Sequence, residues 1–122
     1  MSAPGRPVDL AHLSRYTGGD SALNAEVLDL FANQSADLMR QLETVLAAHD
    51  RKTWRHITHS IKGAARGIGA FALADVAAEA EPLDPATQAR EALEALAAMK
   101  TRAEAVQSFI QAYLGRQPAA GS

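Results

Sequence analysis

Apolar residues recur at steps of three and four along most of this chain, in rows too long for strands and interrupted only by short turn-forming segments. One row is Leu23, Val27, Leu30, Phe31, Leu38, Leu42, Val45 and Leu46. Ile57, Ile61, Ala64 and Ile68, with Trp54 beside them, make a second. Phe71, Leu73, Val76, Ala77 and Ala80 make a third, and Ala89, Leu93, Leu96, Met99, Ala103, Val106, Ile110 and Tyr113 a fourth. Each row is the apolar stripe of an amphipathic helix. Alanine is abundant, whereas Val, Ile and Thr are scattered and never alternate with polar residues, so the pattern argues against a sheet.

The breaks between rows carry the expected stop and start signals. Asp9 can cap a short helix over residues 9–13, and Thr17-Gly18-Gly19-Asp20 breaks the chain. Asp20 or Ser21 caps a long helix to about Ala48, His49-Asp50 makes a turn, and Asp50 caps the next helix. Gly67 and Gly69 weaken that helix near its end. A further helix runs from about Ala70 to Glu81, where Pro82-Leu83-Asp84-Pro85 stops it. The last runs from about Ala86 to Leu114 and ends at Gly115. Residues 1–7 read as a flexible arm, 8–114 as one helical bundle and 115–122 as a flexible tail. The fold class is therefore all-α. Short turns make neighbours antiparallel, which predicts an up-down-up-down four-helix bundle with a short extra N-terminal helix.

Composition narrows the function. A chain of 122 residues is one domain long and buries a real core. The net charge of −2 makes the whole molecule a poor match for nucleic acid. Absence of cysteine excludes a disulfide scaffold, a thiolate zinc site and a cysteine nucleophile, and fits a cytoplasmic protein. No apolar run is long enough to span a membrane, and Met1-Ser2-Ala3-Pro4-Gly5-Arg6-Pro7 is not an export signal. Neither a Gly-rich phosphate loop nor a nucleophile elbow is present.

The third helix carries the chemistry. At about 100° per residue, Trp54, Ile57, Ile61, Ala64, Ala65 and Ile68 gather on the side opposite His59. Lys52, Arg55, His56, Lys62, Gly63 and Arg66 gather around His59, so an acidic protein presents one basic face about one imidazole. A neutral imidazole nitrogen is a nucleophile near neutral pH. A phosphoryl group on that ring would bring negative charge, which Lys62 one turn on, and Arg66 two turns on, can stabilise. Gly63 costs about 1 kcal/mol against alanine inside a helix, which makes sense where a partner must approach the backbone. Plainer readings stand beside these. A surface histidine and a basic face can simply be solvated, Gly63 can admit a neighbouring helix, and Gln34 can be a tolerated amide within its apolar row. His56 and His59 share a face, but their neighbours are cations rather than carboxylates, so no metal site is expected. His12 and His49 read as surface residues.

The stretch Thr58-His59-Ser60-Ile61-Lys62-Gly63-Ala64-Ala65-Arg66-Gly67-Ile68-Gly69-Ala70 closely resembles the motif of histidine-containing phosphotransfer (HPt) domains. The opening Thr17-Gly18-Gly19-Asp20 before Glu26, Leu30 and Phe31 is similar too, as are Asp50 and Trp54 before the histidine and Leu73 and Glu81 after it. The resemblance spans residues 8–113. It implies a helical bundle acting in a two-component phosphorelay, with His59 taking a phosphoryl group from a receiver-domain aspartate and passing it to another receiver. Lys62 is then the nearby cation and Gly63 the clearance residue. Gln34 matches a polar position near the receiver interface in some members. Arg66 stands where the family often has a small or polar residue, so its phosphate role is an inference of chemistry alone.

In the family, the receiver supplies the acidic pocket and the magnesium ion. This chain is thus expected to bind no cofactor, to have no kinase activity and to act as a phosphocarrier. Its expected partners are receiver domains of response regulators or hybrid kinases, with neither nucleic acid nor membrane, and a monomer is expected. A close variant is the phosphoacceptor domain of a chemotaxis-type kinase. Two other classes compete: a helical module that docks receivers without phosphoryl transfer, and a small nucleic-acid-binding protein using the same basic face.

Overall fold

The structure is a computed structural model that describes residues 6–116. Five helices follow in order: α1 (Leu10–Thr17), α2 (Ser21–Ala47), α3 (Arg51–Ile68), α4 (Phe71–Ala80) and α5 (Ala89–Arg116). The described residues contain no strand, and none of their helices is long and apolar enough to cross a membrane. The arm expected over residues 1–7 and the tail over 115–122 fall mostly outside the described residues.

Three helices start at an aspartate, for one electrostatic reason. The first backbone N–H groups of a helix have no partner within it, and a carboxylate supplies one. Asp9 accepts from the His12 N–H at 3.2 Å, and Asp20 from Leu23 N–H and Asp50 from Thr53 N–H at 3.0 Å each. The Thr53 hydroxyl also donates to Asp50, and these Thr53 bonds hold the Asp50 carboxyl below its ordinary 3.8. No side chain caps α4. It follows instead from the sharp turn closing α3, where Gly69 N–H donates to Arg66 O and Ala70 N–H to Ala65 O.

The helices α2, α3, α4 and α5 form a closed ring in which each packs on two neighbours, and α1 lies across α2 and α3. The core holds Leu13, Leu28, Leu42, Trp54, Ile61, Leu73, Met99, Val106 and Ile110, all with almost no exposure. Ala74, Ala77 and Ala80 let the short α4 sit close to its neighbours. Polar contacts fix the α2–α5 register. Tyr113 donates to Ser21 O at 3.4 Å, Gln107 donates to Ala32 O at 2.8 Å, and Lys100 pairs with Glu43. Residue numbers fall along α5 as they rise along α2, as antiparallel packing requires.

The expected rows on α3 and α4 face inward, with Ala64, Phe71 and Val76 only half-buried. Those on α2 and α5 need correction. Leu23 and Leu30 are exposed, at 40% and 58%, as are Ala89 and Leu93 on α5, and Gln34 is on the surface rather than within a buried row. The buried side of α2 instead runs through Asn24, Leu28, Phe31, Ala32, Ser35, Met39, Leu42 and Val45. Packing between two long partners turned that side, and the small Ala32 and Ser35 let Gln107 of α5 reach the α2 backbone. Helix α5 begins three residues later than Ala86, because Asp84 and Gln88 close a turn first, and it continues through Gly115.

Gly69 joins three elements. It holds φ of +83°, a left-handed conformation that strains any residue with a Cβ. Its carbonyl accepts from Asp9 N–H at 2.9 Å, and a Cβ there would sit 2.6 Å from the Asp9 carbonyl oxygen. Gly69→Ala is therefore expected to destabilise the fold by at least about 1–2 kcal/mol, lowering the thermal midpoint by roughly 5 °C or more. Gly63 lies within a helix, and a Cβ there would meet nothing within 4 Å. Gly63→Ala should stabilise by about 0.5–1 kcal/mol. Thermal unfolding followed by circular dichroism checks both signs.

Candidate functional site

The basic face of α3 exists because its opposite face is locked into the core. Trp54, Ile57, Ile61, Ala65 and Ile68 are buried, and Thr58 turns its hydroxyl back onto Trp54 O at 2.9 Å. With that side fixed, His59 must point outward, and its side chain is 65% exposed. Lys62, one turn on, is only 20% exposed.

One carboxylate organises this pair. Glu81 Oε1 lies 2.8 Å from Lys62 Nζ and 3.3 Å from His59 Nδ1. Lys62 bonded to it, and secondarily the His59 ring, hold the Glu81 carboxyl below its ordinary 4.5, against the opposing effect of partial burial. An ionised carboxylate only accepts hydrogen bonds, so the ring nitrogen facing it carries the proton. Nδ1–H therefore donates to Glu81, and in the neutral ring the lone pair belongs to Nε2.

The position of Glu81 is set at long range. It follows α4 directly, its N–H donating to Ala77 O, and Ala80 beside it accepts a 2.9 Å hydrogen bond from the buried Trp54 Nε1. This contact pins the end of α4 to the start of α3. Sequence reasoning placed Glu81 only within the wider resemblance and gave it no role. A signal was available in the α3–α4 hairpin: His59 and Glu81 are equally distant from Ala70 at the turn, so antiparallel packing sets them side by side.

The other expected site residues are placed as follows. Gly63 is exposed, and no neighbouring helix occupies the space beside it, so admitting one is not its purpose. On the helix wheel Gly63 and Gly67 lie on the side of His59 turned away from Lys62 and α4, hence towards α2. Counting back through the α2–α3 turn sets Gln34 level with Gly63 and Ala64. Gln34 thus shares the bundle face with Gly63 and belongs to an exposed row with Leu23 and Leu30. Among the described residues, no hydrogen bond or ion pair joins Gln34 or Arg66 to His59. Arg66 is exposed, two turns beyond the ring. Two shallow concavities flank Glu81. One is lined by Lys52, Arg55, His56, His59 and Glu81. The other, of about 220 Å³, is lined by Arg51, Arg55, Lys62, Ala78, Glu81 and Pro82.

A helical ring that presents one imidazole, oriented by a carboxylate and flanked by lysine and glycine, is now matched by comparison. The sequence model of the Hpt domain matches residues 26–112. The chain belongs to the Hpt domain family. A solved structure, histidine-containing phosphotransfer protein B (HptB) from Pseudomonas aeruginosa PAO1, superposes with a TM-score of 0.84 at 26% identity, covering 96% of this chain and 100% of that one. No curated protein sequence matches significantly. Membership carries the family's histidine phosphotransfer role in two-component phosphorelays and its interaction with receiver domains.

The Glu81 network has a definite pH signature. Its carboxyl is lowered on folding, so it supports the native state above its ordinary 4.5, and this support is lost as pH falls through the lower folded value. The gap in urea midpoint between wild type and Glu81→Gln is expected to narrow as pH falls below 4.5. Urea titrations above and below that pH measure it.

Proposed function

We propose that His59 is the phosphoryl-carrying residue, accepting the group from the aspartyl phosphate of one receiver domain and yielding it to the aspartate of another. The observation that carries this reading is the single carboxylate oxygen shared by His59 Nδ1 and Lys62 Nζ. It leaves Nε2 as the nucleophile on an exposed ring whose orientation is held from behind.

The step balances simply. The Nε2 lone pair attacks phosphorus, the acyl oxygen–phosphorus bond breaks, and the donor aspartate departs as a carboxylate. The ring retains its Nδ1 proton and so becomes cationic, and Glu81 faces that new positive charge. The transferred group brings negative charge close to Lys62, whose ammonium can turn from Glu81 towards the phosphoryl oxygens. Return of the group to a second aspartate reverses these events. No general base is required, because the attacking nitrogen carries no proton.

Docking uses the surface on the α2 side. The bare backbone at Gly63 lets a receiver approach the ring closely, while Gln34 and the exposed Leu23 and Leu30 supply polar and apolar contacts. Arg66 adds positive charge at the edge of this surface rather than a direct bond to the phosphoryl group. The chain acts in the cytoplasm as a carrier for response-regulator or hybrid-kinase receivers.

The test is transfer from a receiver loaded with acetyl phosphate, in magnesium and without ATP. Wild type should acquire acid-labile phosphate, and His59→Gln should acquire none. Lys62→Ala should slow transfer by about 100-fold, the lower end of the loss from one charge-stabilising donor, with the fold intact. Gly63→Gln should raise the receiver concentration needed for half-maximal rate while leaving helicity unchanged. Phosphate on His59→Gln would refute the site. Receiver binding without transfer by wild type would favour a docking-only module.

A further inference from the structure

The first five residues of α3 break an electrostatic rule. A helix N-terminus carries partial positive charge and favours acidic side chains. Here Arg51, Lys52 and Arg55 are exposed at that end, and the first turn contains no acidic residue. Among the described residues none of the three has an ion-pair partner: Asp50, the cap of α3, is engaged by Thr53, and Glu81 by Lys62 and His59. Between them they line both concavities beside Glu81, with Arg55 common to the two, so the charge is continuous with the His59 site. The whole of α3 carries five Lys and Arg and no Asp or Glu, while the chain has 12 basic and 14 acidic residues. The remainder of the molecule therefore holds an excess of seven negative charges. Such a body repels a long polyanion and leaves a compact positive patch suited to a local acidic one.

We propose that Arg51, Lys52 and Arg55 form a recognition patch for an acidic rim beside the phospho-aspartate of the receiver, and so govern partner choice and encounter rather than the transfer step. The proposal rests on the His59 reading for its partner. A donor presenting an acyl phosphate on aspartate brings anionic oxygens to this face, and the patch extends that attraction past the ring towards the end of α4. Cations unpaired within the chain and set against the helix dipole gain their favourable partners only on binding. Their effect should be on association, which long-range charge accelerates and salt screens.

The experiment compares wild type, a variant with Arg51→Gln, Lys52→Gln and Arg55→Gln, and a control with Arg15→Gln, Arg40→Gln and Arg90→Gln, which makes the same change in net charge elsewhere. Transfer from acetyl-phosphate-loaded receivers with acidic and with neutral rims is followed from low salt to about 0.5 M. With the acidic-rim receiver at low salt, the patch variant should lose about tenfold or more in second-order rate and show a flattened salt dependence. Its first-order rate at saturating receiver should stay within about twofold, and its thermal midpoint should hold or rise because the dipole conflict is gone. The control and the neutral-rim receiver should show little change.

Equal losses in patch variant and control, or a loss confined to the saturating rate, would overturn the proposal while leaving His59 phosphotransfer standing. If wild type accepts no phosphate, the His59 reading fails. Binding of unphosphorylated receivers, measured by titration calorimetry, then decides the patch alone: salt-sensitive binding lost in the patch variant supports it, and no such binding overturns it. Binding of a duplex DNA as tight as that of the acidic-rim receiver, and lost in the same variant, would assign the face to nucleic acid and overturn it as well.

Discussion

The hydrogen bond from Trp54 Nε1 to Ala80 O is the contact on which the site depends. Trp54 is fully buried, so its indole N–H must find an acceptor inside the protein or stand unpaired at a cost of about 1–3 kcal/mol. The acceptor it finds is the backbone at the end of α4, and the next residue is Glu81. A packing requirement in the core thereby fixes a carboxylate on the surface. Loss of that register would displace Glu81 from both His59 and Lys62 without altering the α3 helix that carries them.

Glu81 does two tasks that the bare basic face could not. Cations alone would leave the ring free to rotate and either nitrogen free to hold the proton. The carboxylate selects Nδ1 for the proton and so leaves Nε2 for chemistry. It also holds Lys62 close to the ring but short of a full commitment, because the ammonium is shared with a partly exposed partner. A lysine already positioned loses less conformational freedom when a phosphoryl group arrives.

The legible and illegible parts of this protein differ for physical reasons. On α3 apolar and basic residues separate cleanly, so periodicity put His59 and Gly63 on the exposed side and the core residues opposite them. The aspartate caps and the glycine ends at Gly18 and Gly69 were equally legible, because capping is decided within four residues, but Gly115 did not end α5. On α2 and α5 the apolar residues extend around more of each helix, and local spacing could not say which part would be covered. Spacing alone therefore puts Leu23 and Leu30 inside and makes Gln34 an anomaly, whereas all three lie on the surface. Asn24 and Ser35 went inside because Thr17 and Gln107 meet them there, pairings no local pattern reveals. The role of Glu81 had the same cause: it depends on which helices pack and in what register.

The departures from good helix design gather on α3 and have a common direction. Gly63 gives up helix stability where no intramolecular neighbour demands room. Arg51, Lys52 and Arg55 oppose the dipole, and none of them forms an ion pair among the described residues. Lys62 and His59 share a carboxylate that a stability-driven surface could have given to one of them alone. Elsewhere α1 and α2 start at capping aspartates, α1 ends at a left-handed glycine, and no buried side-chain atom among the described residues is unpaired. Departures of this kind gathered along one exposed face are what selection for an outside partner produces, since only a bound partner supplies the missing contacts. The strain is tolerated because the opposite face of the same helix is anchored by Trp54, Ile57, Ile61 and Ile68. The core contacts of α3 are thus what allow its outer face to be arranged for binding rather than for stability.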